Sequence, residues 1–241
     1  MNHSASVTDF FKSPKWGMNL LLGAVSLLIP AIGPMILQGW HITGFWARRH
    51  DADPAGFPPF DFQFFGKYIE RGLWPFLVAM AASLVLVPVM MILFIGPMIL
   101  MGALGQQDKS MQQGFPIVFI LCLLIYLAIM ALFSFILTPL ILRASITQDF
   151  GQSFSLRFVR DFIALVWKEQ LVSMLFMFGV YLVLMVVTIV TCYIGGIFSF
   201  PVVLYAWHHL QKQLYQLYLA RGGEAIPVSP KLADVPPALP F

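Results

Sequence analysis

Long apolar stretches separated by short charged segments dominate the chain. No Asp, Glu, Lys or Arg occurs in four of them, residues 16–47, 72–107, 110–142 and 170–211. Apolar runs of this length are candidates for membrane spans, because about 20 helical residues cross a hydrocarbon core of roughly 30 Å. A transmembrane barrel would need alternating strands of about ten residues, which the pattern lacks. The spans are therefore predicted to be helices.

The pattern predicts an all-α, polytopic helical membrane protein with about six apolar segments in three hairpins. The pairs are 17–30 with 34–47, 73–98 with 115–142, and 170–193 with 197–218. The first pair is short, since fourteen helical residues reach only about 21 Å. It is interpreted as a re-entrant hairpin, a tilted short pair that thins the bilayer, or one long kinked helix. A re-entrant or short hairpin is favoured.

The basic residues predict the orientation. They form the groups Lys12/Lys15, Arg48/Arg49, Lys67/Arg71, Arg143, Arg157/Arg160/Lys168 and Lys212/Arg221/Lys231, with Lys109 alone in a separate loop. If every block is a hairpin, thirteen of the fourteen lie on one side. The positive-inside rule makes that side cytoplasmic, so both termini are expected in the cytoplasm of a prokaryotic cell. The early apolar run resembles a signal peptide, but Pro34 after "AIG" disfavours cleavage, and the segment is expected to stay attached.

One phrase occurs twice, as "IGPMILQG" at 32–39 and "IGPMILMG" at 95–102, with "YIGGIF" at 193–198 as a looser copy. Glycine tolerates unusual backbone angles and proline lacks the helical N–H, so such pairs suit reversals or kinks. The predicted helix breaks are Gly33, Pro34, Gly96, Pro97, Gly195 and Gly196. All lie toward the outer half of the membrane in the same sense, which favours parallel repeats over 10–50, 61–142 and 154–220. Chance similarity among membrane helices is the alternative.

Two amphipathic segments precede apolar blocks. In "FFGKYIER", 64–71, the aromatic residues share one helical face, and "FSLRFVRDFIALVWK", 154–168, repeats the pattern. Such helices are expected in the membrane interface, facing anionic lipid, or as connectors that pack on the bundle. Residues 1–221 are then a single integral membrane domain. Residues 222–241 hold five prolines without helical period and are expected to be a disordered cytoplasmic tail.

Composition agrees with a membrane location. Of the 241 residues 59% are hydrophobic and only 10% are charged, against about 25% charged in soluble domains. The net charge of +3 is no sign of nucleic-acid binding, because the basic residues flank apolar spans instead of forming one patch. Cys122 and Cys192 both lie in apolar runs and are read as packing residues.

Candidate chemistry is sparse. The motifs typical of metalloproteases, hydrolases and phosphate-binding loops are missing from the sequence, which predicts no catalytic, cofactor-binding or metal-binding residue and no cofactor. Three polar positions at membrane depth stand out: His41, His208 and His209. An intramembrane histidine is a functional hypothesis. An aromatic-belt position, beside Trp40 and Trp46 or beside Trp207, is the plainer interpretation, and adjacent histidines do not chelate a metal as an i, i+4 pair does.

The order of features resembles a family of bacterial and archaeal multi-pass membrane proteins known as domain of unknown function 4013. The matching stretches are "KWGMNLLLGAVSLLIPAIGPMILQGW", "FPPFDFQFFGKYIERGLWPFLVAM", "LTPLILRASITQDFGQSFSLRFVRDFIALVWKEQLVSM" and "YIGGIFSFPVVLYAWHHLQKQLY". The resemblance implies the topology and brings no activity, substrate or site residue.

The functional hypothesis is a non-enzymatic, lipid-interacting or scaffold protein of the membrane. Membrane lipids are the expected partners, together with a second copy or another membrane protein, and no nucleic acid. The alternative is a small permease or channel for a neutral or lipidic solute, using the Gly-Pro breaks. Carboxylates are missing from every span, so ion coupling through a midplane acid is disfavoured.

Overall fold

The computed structural model describes residues 1–47, 54–104 and 109–233, and these are almost entirely helical, with no strand among them. The helices are α1 His3–Thr8, α2 Trp16–Ser26, α3 Ile32–Ile42, α4 Phe65–Leu84, α5 Leu86–Met90 and α6 Gly96–Leu104. They continue with α7 Lys109–Thr147, α8 Phe150–Ser153, α9 Leu156–Val190, α10 Ile194–Ala220 and α11 Pro230–Ala233. Two π-helical turns, Thr43–Ala47 and Met91–Ile95, follow α3 and α5. The prediction of an all-α fold is confirmed.

Among the described residues, three helical stretches are long and apolar enough to cross a membrane. They are Phe62–Ile99, Pro116–Thr147 and Phe150–Val190, and α2 is a shorter apolar helix. The second and third predicted hairpins thus each contain at least one span-length helix. That there are six apolar segments in all stays a prediction, because α3 and α10 are not among these stretches.

Helix ends follow local signals. The side chains of Asn2 and Asp149 accept hydrogen bonds from the first turns of α1 and α8, as N-cap residues do. The α2–α3 reversal uses Ala31 at φ 62°, and the α9–α10 reversal uses Cys192 and Tyr193 at φ 50° and 70°. A positive φ is uncommon for residues with a side chain, so these reversals are held by the helices that they join.

The chain divides into two compact units. The larger contains 1–78 and 139–241, and the smaller contains 79–138. The larger unit has an aromatic core in which α2, α3 and α10 pack together, and a second cluster where α7, α9 and α10 meet. In the smaller unit Phe94 contacts Tyr126 of α7 with ring centroids 5.3 Å apart. Of the side chains described there, only Thr138 is buried.

The two amphipathic segments are the first turns of long helices. Residues 65–71 belong to α4, and 156–168 belong to α9, which is kinked at Val166 (φ −131°, ψ 16°). Their aromatic faces are covered by protein: Tyr68 lies in the aromatic core, and Phe158 and Phe162 pack on Tyr218. This arrangement favours the connector interpretation for those faces. Leu156, 81% exposed, and Phe154 remain on the surface.

The expected disorder from residue 222 is wrong for the described part of the tail. Residues 222–233, called here the C-terminal strap, bury Ile226 and Leu232. The backbone N–H of Ile226 donates to the Tyr215 hydroxyl at 2.8 Å, and that of Ser229 donates to the Ile146 carbonyl at 3.0 Å. Two apolar anchors and fixed backbone hydrogen bonds outweigh the proline-rich composition. The rest of the expected tail, 234–241, lies outside the described residues, as do Arg48, Arg49 and 105–108.

Candidate functional site

The crossing of α3 and α4 brings two backbones into direct contact. A methyl group on Gly39 would lie 1.8 Å from the Tyr68 carbonyl oxygen, and one on Gly72 would lie 1.9 Å from the Met35 carbonyl oxygen. Only glycine permits such a close approach, as at small-residue crossings of membrane helices. The crossing sets the position of the next turn of α3, which carries Trp40 and His41.

Aromatic rings converge on Tyr205 of α10. Its ring centroid lies 5.4 Å from Phe10, 5.1 Å from Phe45 and 5.0 Å from Phe57, mostly in tilted or edge-to-face contacts. Trp40 adds a hydrogen bond from its indole Nε1 to the Pro58 carbonyl at 3.0 Å. Such contacts stabilise beyond the area that they bury. The loop before α4 is thereby held against α3 and α10.

A polar cluster lies inside this aromatic shell. The rings of His41 and His208 are 5.5 Å apart between centroids, and both residues are fully buried. Tyr205, His208 and Gln211 follow at i, i+3 and i+6, on one face of α10. These four residues, His41, Tyr205, His208 and Gln211, are called the polar core cluster.

The polar core cluster has unused hydrogen-bonding capacity. Both ring nitrogens of His41 and the Tyr205 hydroxyl are buried without a hydrogen-bond partner among the described residues. Buried polar groups are nearly always paired, and leaving one unpaired costs about 1–3 kcal/mol. A neutral imidazole offers one donor and one acceptor, so His41 leaves one of each unused in the aromatic core.

Of the histidines predicted as aromatic-belt residues, His41 and His208 lie in the core, whereas His209 is half-buried. His41 packs on Trp40 at 4.6 Å between centroids, and His209 stacks on Phe45 at 5.7 Å. Trp207 belongs to a different cluster, with Met177 and Leu210. In the part of the chain that the structure describes, no three His, Cys, Asp or Glu side chains come together as metal ligands do.

The predicted helix breaks occupy different settings. Gly33 and Pro34 form the first turn of α3, and a methyl group on Gly33 would lie 2.3 Å from the Ser26 carbonyl oxygen. Gly195 and Gly196 form the first turn of α10, directly after a reversal. Gly96 and Pro97 begin α6 after a π-helical turn, and nothing lies within 4 Å of a methyl group on Gly96. One phrase therefore packs tightly in its first copy and loosely in its second.

Arg71 is a buried residue whose role the sequence did not reveal. Its Nη1 donates to the Thr43 hydroxyl at 2.9 Å and its Nη2 donates to the Lys231 carbonyl at 3.2 Å. Thr43 opens the π-helical turn after α3 and donates in turn to the Gly39 carbonyl. Arg71 thus connects the α3–α4 crossing with the C-terminal strap. A pairing over 160 residues has no local signal in the sequence.

A second polar connection joins the first half of α9 to the C-terminal end of α10. Arg221 donates to both carboxylate oxygens of Glu169 and to the Leu165 carbonyl, next to the kink at Val166. The bond with Glu169 raises the pKa of the Arg221 guanidinium. Near the N-terminus, His3 Nε2 lies 3.3 Å from the Ser173 hydroxyl, and partial burial and the N-terminal ammonium lower the pKa of His3.

The part of the chain that the structure describes is helical, with three helices capable of crossing a membrane and a buried polar cluster among aromatic rings. The chain belongs to the family described as protein of unknown function (DUF4013), whose profile matches residues 22–193. The match includes His41 and the α3–α4 crossing. His208, His209 and the strap follow it. No curated protein and no solved structure matches the chain.

Proposed function

We propose that this chain is a multi-pass integral protein of the prokaryotic cell membrane with a non-enzymatic role as a lipid-interacting scaffold. The observation that carries the proposal is the smaller unit, 79–138. The apolar side chains of its α7 part face outward in all directions around the helix, for example Val118, Leu123 and Leu124 at 46%, 38% and 56% exposure. A helix that is apolar all round needs lipid or another apolar surface around it.

The orientation with both termini in the cytoplasm is part of the proposal. It is supported by the meeting of α1 with the end of α10, where the Asn2 N–H donates to Gln213 Oε1 at 2.7 Å. Reporter fusions test it. A reporter after Gln107 and one after Ala233 are expected on opposite sides, and fusion after Ala233 keeps the strap intact. A result on the same side would contradict the hairpin arrangement.

Anionic headgroups are the lipid feature that the start of α9 fits. The Arg157 side chain is 83% exposed, Arg160 is exposed, and the protruding Leu156 precedes them. Basic residues near the surface attract anionic lipid, each by about 1 kcal/mol. Asp161, 3.9 Å from Arg157, partly offsets the charge and supplies a matched control.

Lipid retention tests the scaffold function. The protein is purified in mild detergent and its bound lipids are compared with the bulk membrane by mass spectrometry. The native chain is expected to retain anionic phospholipid above its bulk share. The double variant Arg157→Gln/Arg160→Gln should lose that excess, and Asp161→Asn should keep or increase it. Bulk composition in the native chain, together with no co-purified membrane protein, would overturn the proposal.

A second candidate, a small permease for a neutral or lipidic solute, is favoured by one observation. The polar core cluster offers unpaired hydrogen-bonding groups beside the π-helical turn Thr43–Ala47. Such turns often lie at functional sites. Glycerol flux and phospholipid scrambling in proteoliposomes test it. Tyr205→Phe keeps the ring and removes the hydroxyl, so it should lower flux more than thermal stability. Equal losses, or no flux in the native chain, would exclude this function.

A further inference from the structure

The first hairpin is antiparallel and short. Gly23 of α2 lies against Leu37 of α3, where a methyl group would be 3.1 Å from Leu37 Cδ2, and Gly33 lies against Ser26. Contacts that pair 23 with 37 and 26 with 33 define a reversal between the helices. Each helix has eleven residues, about 16 Å long at 1.5 Å per residue. A hydrocarbon core of about 30 Å is nearly twice that length.

Helix α10 shows how far the hairpin reaches. Phe10, before α2, contacts Tyr205 of α10. Further along α2, a methyl group on Gly23 would lie 3.0 Å from Pro201 Cγ. Chain direction in α2 therefore opposes that in α10. The reversal begins at Leu27, about 6 Å beyond Gly23, whereas α10 begins at Ile194, about 10 Å beyond Pro201. The reversal of the hairpin thus begins about 4 Å before the level at which α10 begins.

The tip of the hairpin is apolar. It consists of Leu27, Leu28, Ile29, Pro30 and Ala31, and Leu28 and Ile29 are 67% and 41% exposed. Turns in water are typically built from Gly, Asn, Asp and Ser, with side chains that water can solvate. This tip has no hydrogen-bonding side chain to offer.

Five backbone N–H groups at and directly after the tip are paired locally. The N–H groups of Leu27, Leu28 and Ile29 donate to Ala24, Val25 and Ser26 carbonyls at 3.1–3.2 Å. The N–H groups of Ile32 and Gly33 donate to Pro30 and Ile29 carbonyls at 2.7 and 2.8 Å, and Pro30 has no N–H. A reversal inside hydrocarbon must satisfy its backbone in this way, because lipid offers no hydrogen bonds.

The outward face of α2 continues the apolar surface. Met18, Leu21, Val25 and Leu28 follow at helical spacing and are 55%, 47%, 45% and 67% exposed. The opposite face is buried against protein and contains Asn19, which accepts a hydrogen bond from the Phe60 N–H at 2.8 Å. Lys12 and Lys15 precede the helix, and exposed Trp16 begins it, as at a membrane interface.

We propose that the α2–α3 hairpin is a re-entrant element that enters the membrane from the Lys12/Lys15 side and ends within the hydrocarbon. Its stripe and tip contact acyl chains, chiefly those of the leaflet through which it enters. The inference rests on the proposed membrane function. It adds to that function a specific surface, the α2 stripe and the hairpin tip, at which acyl chains contact the protein. A re-entrant hairpin is one of the three interpretations of residues 17–47 that the sequence leaves open.

Site-specific labelling tests the inference. In a background with Cys122→Ser and Cys192→Ser, a single Leu28→Cys is treated with a membrane-impermeant maleimide in sealed vesicles of either orientation. No labelling is expected from either side, with full labelling after denaturation. Tyr193→Cys, at the exposed α9–α10 turn, should label from the side opposite to Lys12→Cys. Val25→Cys provides a second position if Leu28→Cys fails to fold.

A nitroxide on the same cysteine identifies what covers it. Contact with acyl chains predicts high accessibility to oxygen, low accessibility to a nickel chelate, and a depth between those of the labels at 12 and 193. Leu37→Cys, fully buried in protein, should be poorly accessible to both. Labelling of Leu28→Cys from the Tyr193 side would show a full crossing, and low oxygen accessibility would show a protein partner. Either result overturns the re-entrant hairpin and leaves the lipid-retention result untouched.

Discussion

The backbone crossing at Gly39 leads to the sharpest prediction. Gly39→Ala places a methyl group 1.8 Å from the Tyr68 oxygen, 2.6 Å from its carbonyl carbon and 2.8 Å from its Cα. Side-chain Cβ atoms essentially never approach another heavy atom within 3.0 Å. All three obstacles are backbone atoms of α4, so no rotamer change relieves the clash. The two helices must move apart by roughly 1 Å, as in an overpacked core.

The energetic estimate combines two opposing effects. Overpacking costs about 1–3 kcal/mol, and the rigid backbone places this site at the upper end. Replacing glycine by alanine inside a helix stabilises the helix by about 1 kcal/mol. A net destabilisation of about 2 kcal/mol is expected. Gly102, the same position in the second copy of the repeated phrase, has nothing within 4 Å, so Gly102→Ala should be neutral or stabilising.

Thermal unfolding in detergent micelles, followed by size-exclusion chromatography, measures both variants. Gly39→Ala should unfold at a lower temperature than the native chain, and Gly102→Ala at the same temperature or a higher one. Gly72→Ala forces the same two helices apart from the α4 side. The double variant Gly39→Ala/Gly72→Ala should therefore be destabilised by less than the sum of the two single variants. If Gly39→Ala were as stable as Gly102→Ala, the α3–α4 contact would be refuted.

Three further predictions concern the strap and the termini. Ile226→Ala should cost about 2–5 kcal/mol of unfolding free energy in the same assay, whereas Val228→Ala, 64% exposed, should change it by less than about 0.5 kcal/mol; equal effects would contradict strap docking. Arg71→Met should cost at least about 1.5 kcal/mol, since it removes hydrogen bonds from a buried charge, and a neutral result would show that Thr43 and Lys231 do not need it. The pKa of His3 is lowered in the folded chain. Its contribution to the free energy of unfolding is therefore fully present above the ordinary pKa near 6.5, and it is lost as pH falls through the folded-state pKa. The native chain should therefore lose stability relative to His3→Gln between about pH 7 and pH 5, and a constant difference would contradict that shift.

The helical class was readable from the sequence because spans without charge leave the backbone no alternative to helices. The reversals near Gly33 and Gly195 were also placed near their observed positions, since glycine and proline act locally. What the repeated phrase does in each copy was not readable. The last glycine of the phrase lies against α4 in the first copy, at Gly39, but has nothing within 4 Å in the second copy, at Gly102. The difference comes from the neighbouring helix and not from the phrase itself.

The strap and the polar core cluster show a different limit. Counting prolines predicts disorder after residue 222, but Ile226 and Leu232 are buried, and Ile226 packs in a cluster with residues of α7 and α9. His41 and His208 were each recognised as unusual. Their meeting depends on the packing of α3 on α10, which the spacing of residues along one chain does not encode.

The strap also has a consequence for the order of assembly. Arg71 and its acceptor on Lys231 are 160 residues apart, so a ribosome working at about 5–20 residues per second makes them roughly 8–30 seconds apart. The α3–α4 crossing can form early in that interval, before α9 and α10 exist. During the delay the guanidinium has Thr43 within reach but not the strap. Synthesis of residues 222–233 is therefore the event that closes this end of the larger unit, after the helices that it joins have been made.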